Sequence, residues 1–390
     1  MFKNIKQFPD AEKIIKSITQ FGGEVRFVGG CVRDALSSRK IKDIDFATTL
    51  TPEEIEIALT KAKIKHIPTG KQFGTISAII NKQAYEITTL RLDLKTDGRK
   101  AEVKYTQDWE EDALRRDFTI NALSYDLEED RIYDYFNGQQ DLKNGVVRFV
   151  GDPGKRVQED YLRIIRYYRF YGIFGRKVNT ESVKACQKFS KHISSLSAER
   201  KLSEFVKFFD TDNWYKAIKT MYTDNILDDY LNSNPTASEM TITEHLHKYK
   251  LDPSPILVLY ILGSSSVGAL FKISRKQNLY IKHLHTCLME KSLAERSKEM
   301  IYRFGKEVYF DALRFVAAKN KSPALYRDIY HAHSQWVIPT LPLKGADLKL
   351  IGLQEGKSMG DALKKAEKKW VSSNFSLSKK QLLNFIKKAL

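Results

Sequence analysis

Cysteine is scarce: three residues in 390, Cys31, Cys186 and Cys287, widely spaced and outside any CxxC pattern. That excludes a disulfide framework and a cysteine zinc site, and it fits a reducing compartment. Long apolar runs are missing as well. The longest strongly hydrophobic stretch, Ile256 to Leu262, falls far below the roughly 20 residues that a membrane span needs. The opening Met1-Phe2-Lys3-Asn4-Ile5-Lys6 has neither an apolar signal core nor the Arg/Ser-rich, acid-poor character of a transit peptide. The expectation is a cytoplasmic protein with no membrane segment. Acidic residues are outnumbered, 48 Asp plus Glu against 65 Lys plus Arg, a formal charge of +17, which favours a polyanionic partner such as nucleic acid. Aromatics are not lacking: 21 Phe, 19 Tyr and 4 Trp supply a core and surfaces on which bases can stack.

The first 140 or so residues alternate short β-type runs with helical stretches, and most of the remaining chain reads as helix. The predicted fold class is α+β, a mixed α/β head followed by an all-helical remainder. Val25 to Val28 reads as a strand, broken by Gly29-Gly30; Cys31 to Ser38 reads as a short helix, and a second strand is expected around Ile44 to Ala47. Thr51-Pro52-Glu53-Glu54 has the form of a capping box with proline at the first helical position. Thr75 to Ile80 and Ala84 to Thr89 form an expected hairpin around Asn81-Lys82, and the charged segment from Asp93 to Lys104, with its Asp97-Gly98 turn, is expected to be a mobile loop. Pro339-Thr340-Leu341-Pro342 is the clearest late linker; beyond it, residues 341 to 390 carry 11 Lys against 4 Asp plus Glu, a net +7.

The sharpest cluster of polar residues is Gly29-Gly30-Cys31-Val32-Arg33-Asp34 followed by Asp43-Ile44-Asp45. Residues two apart in a strand share a face, so Asp43 and Asp45 can converge and bind Mg²⁺. A diglycine turn opening a helix lets backbone N–H groups approach phosphate, and Arg33 adds a charged fork. These parts place a nucleoside triphosphate against a divalent metal, as in-line phosphoryl or nucleotidyl transfer requires. The segment Gly70-Lys71-Gln72-Phe73-Gly74-Thr75 lacks the spacing of a Walker loop. Glu86, on a neighbouring predicted strand, is a candidate third carboxylate, a solvated strand position being the alternative. In Arg115-Arg116-Asp117-Phe118-Thr119-Ile120-Asn121-Ala122, Asp117 and Asn121 stand one helical turn apart; arginine forks suit phosphate, and Asp and Asn suit ribose hydroxyls. Three His-x-His pairs, at 245/247, 283/285 and 331/333, point apart on helices and are assigned no metal.

In order, these motifs resemble those of the class II tRNA nucleotidyltransferases, the CCA-adding enzymes, within the polymerase-β-like nucleotidyltransferase superfamily. Gly29-Gly30 to Asp45 resembles the first motif and Arg115 to Ala122 the second. Asp134-Tyr135-Phe136-Asn137-Gly138 through Asp141-Leu142 resembles the third, Glu159-Asp160-Tyr161-Leu162-Arg163 the fourth, and Ser197-Ala198-Glu199-Arg200 with Glu204 the fifth. The resemblance is strong over residues 20 to 205 and resumes weakly in the tail from Gly345 to Trp370. Leu90-Arg91-Leu92-Asp93 to Lys104 resembles the family's flexible loop, which relatives that add only the two cytidines lack. Two departures stand out: Ser37-Ser38 replaces a glycine that many relatives carry before the Asp pair, and Lys357 stands where many bacterial relatives have proline.

The resemblance implies a nucleotidyltransferase head (1–140), a neck that reads the base (141–205), and a body (206–338) and basic tail (339–390) that bind tRNA. It implies template-independent addition of CCA to tRNA 3′ ends from CTP and ATP, with release of pyrophosphate. Asp43 and Asp45 would hold two Mg²⁺ ions, with Gly29, Gly30 and Arg33 on the phosphates and Asp117 on the ribose, Arg115, Arg116 and Asn121 nearby. Glu159, Asp160, Arg163 and Arg166 belong to the nucleotide site. Asp160 and Arg163, three apart and therefore expected on one helix face, would read the base: a carboxylate accepts from an exocyclic amine while a guanidinium donates to the adjacent ring nitrogen. Cytosine and adenine present that edge, whereas uracil and guanine set acceptor against acceptor and are rejected. Partial-specificity relatives (CC-adding, A-adding, or poly(A)-forming) and a non-catalytic RNA-binding scaffold are the competing readings, and the oligomeric state is left open.

Overall fold

The computed structural model describes residues 9–96, 101–263, 267 and 271–388. They form two compact units, Met1–Asn234 and Pro235–Leu390. The first unit is built on a seven-stranded mixed sheet. Its strands are β1 (Val25–Val28), β2 (Asp45–Thr48), β3 (Lys65–Gly70), β4 (Thr75–Ile80), β5 (Gln83–Thr89), β8 (Ser124–Asp126) and β9 (Arg131–Tyr133), in the order β3-β4-β5-β2-β1-β8-β9. All neighbours run antiparallel except β2 and β5, whose parallel register sets Asp45 beside Glu86. Helices α1 (Pro9–Thr19) and α3 (Pro52–Lys61) cover one face, and α2 (Gly30–Leu36) follows β1 directly. Phe27 and Phe46 meet in that core at 4.7 Å between ring centroids; both are fully buried, each contributing roughly 1.5–3 kcal/mol of burial free energy.

Local chemistry accounts for the boundaries. Thr51 and Glu54 form the reciprocal capping box that starts α3, with Pro52 at the first helical position. Asn81 and Lys82 both adopt positive φ, at 52° and 65°, as a two-residue hairpin turn requires, so β4 and β5 pair as expected. The segment from Asp93 to Lys104 differs from the expected mobile loop. Strands β6 (Arg91–Thr96) and β7 (Ala101–Tyr105) pair as a separate antiparallel hairpin with Arg91 opposite Tyr105, because alternating backbone pairing satisfies N–H and C=O groups that a loop would leave to water. The Asp97-Gly98 turn, like the first eight residues, lies outside the described residues.

After α4 (Trp109–Leu114) and α5 (Gly138–Asn144) the chain turns helical, with α6 (Pro153–Glu159), α7 (Leu162–Phe174), α8 (Thr180–Phe189), α9 (Ala198–Val206), α10 (Trp214–Thr223) and α11 (Leu227–Leu231). The aromatic run on α7 is core: Tyr167, Tyr168, Phe170 and Tyr171 are all buried. Every regular element described in the second unit is a helix, and its C-terminal part packs Leu343, Leu348, Met359, Trp370, Leu382 and Ile386 into a cluster of its own. Among the described residues no helix is long and apolar enough to cross a membrane.

Candidate active site

Strand β1 ends in a turn that only glycine fits well. Gly29 has φ 71° and ψ −124°, and a Cβ there would stand 3.0 Å from Arg116 Nη1. Helix α2 begins at Gly30, so its first N–H groups face the same space. Asp45 is the first residue of β2, and Asp43 lies just before the strand rather than in it. The two carboxylates therefore converge by the path of the loop into the strand, not by strand alternation, and both line one cleft of about 740 Å³. Burial, the neighbouring Glu86 and Asp43 push the Asp45 carboxyl up to about 6, against the opposing pull of Arg116. Glu86 itself is exposed and does not line the cleft. Behind the strand, buried Cys31 donates to Val28 O at 3.3 Å, and burial pushes its thiol up to about 11, leaving it unreactive.

The second motif is not a helix. α4 ends at Leu114, and Thr119–Asn121 forms one short 3₁₀ turn. Asp117 and Asn121 nonetheless meet: Asn121 Nδ2 donates to Asp117 Oδ1 at 2.9 Å, as does the Phe118 N–H. Arg166 Nε and Nη2 donate to Asp117 Oδ2 at 2.7 and 2.5 Å. Burial opposes ionisation of Asp117, but Arg166 and the Asn121 hydrogen bond outweigh it and hold the carboxyl below its usual range. All four acceptor positions of this carboxylate are filled, so direct contact with ribose requires one to be released. Arg33 Nη1 donates to Asn121 Oδ1 at 2.6 Å, and its guanidinium lies over Phe170 and Phe174 at 5.0 and 4.9 Å. The third motif supports this turn from beneath. Asp141 Oδ2 accepts from Thr119 Oγ1 at 2.6 Å and from Arg148, and a side chain at Gly138 would strike Thr119 O.

The fourth motif also departs from its expected geometry. α6 ends at Glu159, Asp160 is extended at φ −156°, and α7 starts at Leu162, so the Asp160 and Arg163 side chains do not share a helix face and do not pair, although the Arg163 N–H donates to Asp160 O at 2.9 Å. Asp160 Oδ2 accepts from Arg200 Nη2 at 2.7 Å and Oδ1 from the Leu162 N–H at 3.1 Å. Arg163 donates to Glu159 Oε2 at 2.7 Å, to Arg156 O at 3.0 Å and to Arg115 O at 3.1 Å. Glu159, expected in the nucleotide site, instead lines an adjoining cavity of about 500 Å³. The other expected residues, Gly29, Gly30, Arg33, Asp43, Asp45, Arg115, Arg116, Asp117, Asn121, Asp160, Arg163 and Arg166, all line the one cleft.

Over 96% of its length this chain is 34% identical to the mouse mitochondrial CCA tRNA nucleotidyltransferase 1, covering 90% of that protein. The chain belongs to the CCA-adding tRNA nucleotidyltransferase family. Residues 25–148 match the poly A polymerase head domain, 177–233 the RNA and SrmB binding site of polymerase A, and 257–386 domain 2 of the tRNA nucleotidyltransferases. The CCA-adding enzyme of Streptococcus suis is 29% identical over 98% of this chain and 96% of its own. Two solved structures share the fold. The Bacillus stearothermophilus CCA-adding enzyme in complex with CTP has a TM-score of 0.78 at 24% identity, covering 98% of this chain and 97% of its own. The Thermotoga maritima CCA-adding enzyme complexed with tRNA has a TM-score of 0.67 at 21% identity, covering 97% and 95%.

Within this family member, Asp112 was not picked out from the sequence, and for Arg169, Arg200 and Glu204 the partners were not foreseen. Asp112, buried, accepts from Arg115 Nε at 2.9 Å and Arg116 Nη2 at 3.0 Å, so it aims both arginines. Its i+3 and i+4 spacing on α4 was the available signal. Arg169 pairs with Glu204 at 2.9 Å, and Glu204, 3% exposed, also meets Arg166 at 3.5 Å and Lys207 at 2.9 Å. Arg200 is forty positions from Asp160, a separation at which no local spacing signals contact.

Proposed function

We infer that this protein adds CCA to the 3′ end of tRNA, taking CTP and ATP by nucleotidyl transfer without a nucleic-acid template. One observation carries the site assignment. A single cleft joins the Gly29-Gly30 turn, the carboxylates Asp43 and Asp45, and the residual hydrogen-bonding capacity of Asp160 and Arg163. Asp160 has two of four acceptor positions filled, and Arg163 uses three of its five N–H donors. Asp160 is thus able to accept from an exocyclic amine while Arg163 donates to the neighbouring ring nitrogen, an edge that cytosine and adenine share. Uracil and guanine would set a carbonyl against Asp160 and a ring N–H against Arg163, a mismatch that a desolvated site penalises heavily.

Asp43 and Asp45 would hold Mg²⁺: hard oxygen donors suit it, and the carboxylate repulsion felt at Asp45 is what a divalent cation relieves. When bound, the ions lower the pKa of the attacking 3′-hydroxyl and neutralise the triphosphate and departing pyrophosphate. The Gly29 turn and the start of α2 receive the phosphates, and Arg33, Arg115 and Arg116 add charge-assisted forks. Asp117 holds Arg166 and Asn121 in place, and the body (206–338) and basic tail (339–390) take the tRNA backbone. Three buried, free cysteines support a reducing, cytoplasmic setting, although the mammalian relatives are mitochondrial proteins. The test is incorporation of CTP, ATP, UTP and GTP into tRNAs ending before CCA, after C and after CC. Growth by three nucleotides and arrest is expected with CTP plus ATP; arrest after CC, addition of A alone or long A-tails would each refute the full activity.

A further inference from the structure

Beyond Arg39, Ile173 and Phe174, which line both, the catalytic cleft adjoins a second groove of about 720 Å³. Four elements wall this groove: the C-terminal end of α2, α5, the end of α7 and the start of α10. Four of its lining residues are cationic, Arg39, Lys143, Arg176 and Lys216, and none is acidic. The catalytic cleft, by contrast, sets ten basic residues against seven acidic ones. Two of the groove's cations are pinned by backbone carbonyls. Arg176 Nη2 donates to Lys143 O at 2.7 Å, and Lys216 Nζ donates to Gly175 O. Arg39 lies over the Phe174 ring at 5.5 Å. Burial and then the nearby Arg176 push the Lys216 ammonium down, as expected where positive charge gathers without a counterion. Capping the carbonyls at two helix ends would use two cations; four with no carboxylate among the lining residues leave a surplus of positive charge open to an outside anion.

We propose that this groove holds the phosphodiester backbone of the tRNA 3′ strand where it leaves the catalytic cleft. The proposal rests on the nucleotidyl-transfer reading above. Arg39 is the joint, lying four residues before Asp43 in the chain and lining both spaces. A strand whose terminal hydroxyl reaches Asp43 and Asp45 therefore passes Arg39 and meets the other three cations in turn. Cations on separate elements suit successive phosphates better than one compact pyrophosphate, and neither Gly29 nor Gly30 lines the groove.

The experiment is a salt titration of binding to tRNA lacking CCA, with the full-length protein and the variants Lys143→Glu and Lys143→Glu/Arg176→Gln. The dissociation constant of the double variant should rise roughly tenfold at 0.1 M salt, and the slope of log K on log salt should become shallower by about 0.7–0.9 for each phosphate no longer neutralised. KM for CTP and inhibition by pyrophosphate should not change. Unaltered tRNA affinity and slope in both variants would overturn the proposal, as would weakened pyrophosphate inhibition with tRNA binding intact. The single variant alters an exposed side chain and guards against misfolding of the double. Incorporation by the unsubstituted protein is measured in parallel. No incorporation there refutes the functional reading itself, whereas an active parent with an indifferent variant refutes only the groove.

Discussion

Asp160 is held by Arg200, at 2.7 Å across forty positions of chain, and not by Arg163 three residues along. The acceptor proposed to face the base is therefore aimed by a guanidinium from the start of α9. Replacing Arg200 by Ala should remove the charged one of the two hydrogen bonds that orient Asp160, leaving only the Leu162 N–H. A hydrogen bond to a charged group contributes about 1.5–3 kcal/mol, so the preference for CTP over UTP in kcat/KM should fall by at least roughly tenfold. Arg200→Lys should recover part of it. Steady-state kinetics with each nucleotide checks this, and unchanged discrimination in Arg200→Ala would separate Arg200 from base choice.

Asp45, proposed above to hold Mg²⁺, would set that role against stability. Its carboxyl lies near 6 in the folded chain against 3.8 as the ordinary value. The fold thus keeps this proton longer than the unfolded chain does, and stability falls as pH rises through that window. Asp45→Asn should raise the melting temperature at pH 7.5 in the absence of divalent cation, by ~2–4 °C per kcal/mol relieved. Incorporation should drop at least about a hundredfold, ~2.7 kcal/mol of transition-state binding. Thermal melts at pH 5 and 7.5 are the check, and a variant less stable than the parent at pH 7.5 would contradict the account.

Glu204 works the other way. Its burial is more than offset by Arg169, Arg166 and Lys207, which hold the carboxyl below its usual 4.5. Its stabilisation is therefore complete above that value and is lost as pH falls through the lowered one. Glu204→Gln would leave the half-buried Arg169 guanidinium without its counter-charge, while Arg166 keeps Asp117, at a cost of up to about 3 kcal/mol. Urea denaturation at pH 7 should show this loss, with parent and variant converging in acid.

Ser38 sits at φ 52° just past α2. Its N–H donates to Ala35 O at 3.2 Å and the Arg39 N–H to Asp34 O at 2.8 Å, the two bonds of a Schellman motif. Glycine suits that position, so Ser38→Gly should stabilise the fold by up to ~1 kcal/mol and leave incorporation unchanged. A lower denaturation midpoint would count against it.

Strand β1, the α3 cap and the β4–β5 hairpin were legible in the sequence because each depends on residues within five positions of one another: a capping box, a two-residue turn, a β-branched run. So was membership of the cleft for Asp43, Asp45, Asp117 and Asp160, since the order of the motifs carried it. What each side chain does there was less legible. The helix expected through Asp117 is instead a short turn, and that carboxylate is held by Arg166, forty-nine residues on. The helix expected through Glu159 and Arg163 breaks at Asp160.

By itself, the sequence determined the charge balance, the α+β class, the glycine turn and the carboxylates near the start of β2. These arise from composition and from backbone preferences that act locally. Only the tertiary structure decided that Asp160 answers to Arg200, that Glu204 gathers Arg166, Arg169 and Lys207, and that Arg39, Lys143, Arg176 and Lys216 share one groove. Ion pairing and charge clustering depend on distance in space, and folding alone sets the distance between side chains far apart in the chain.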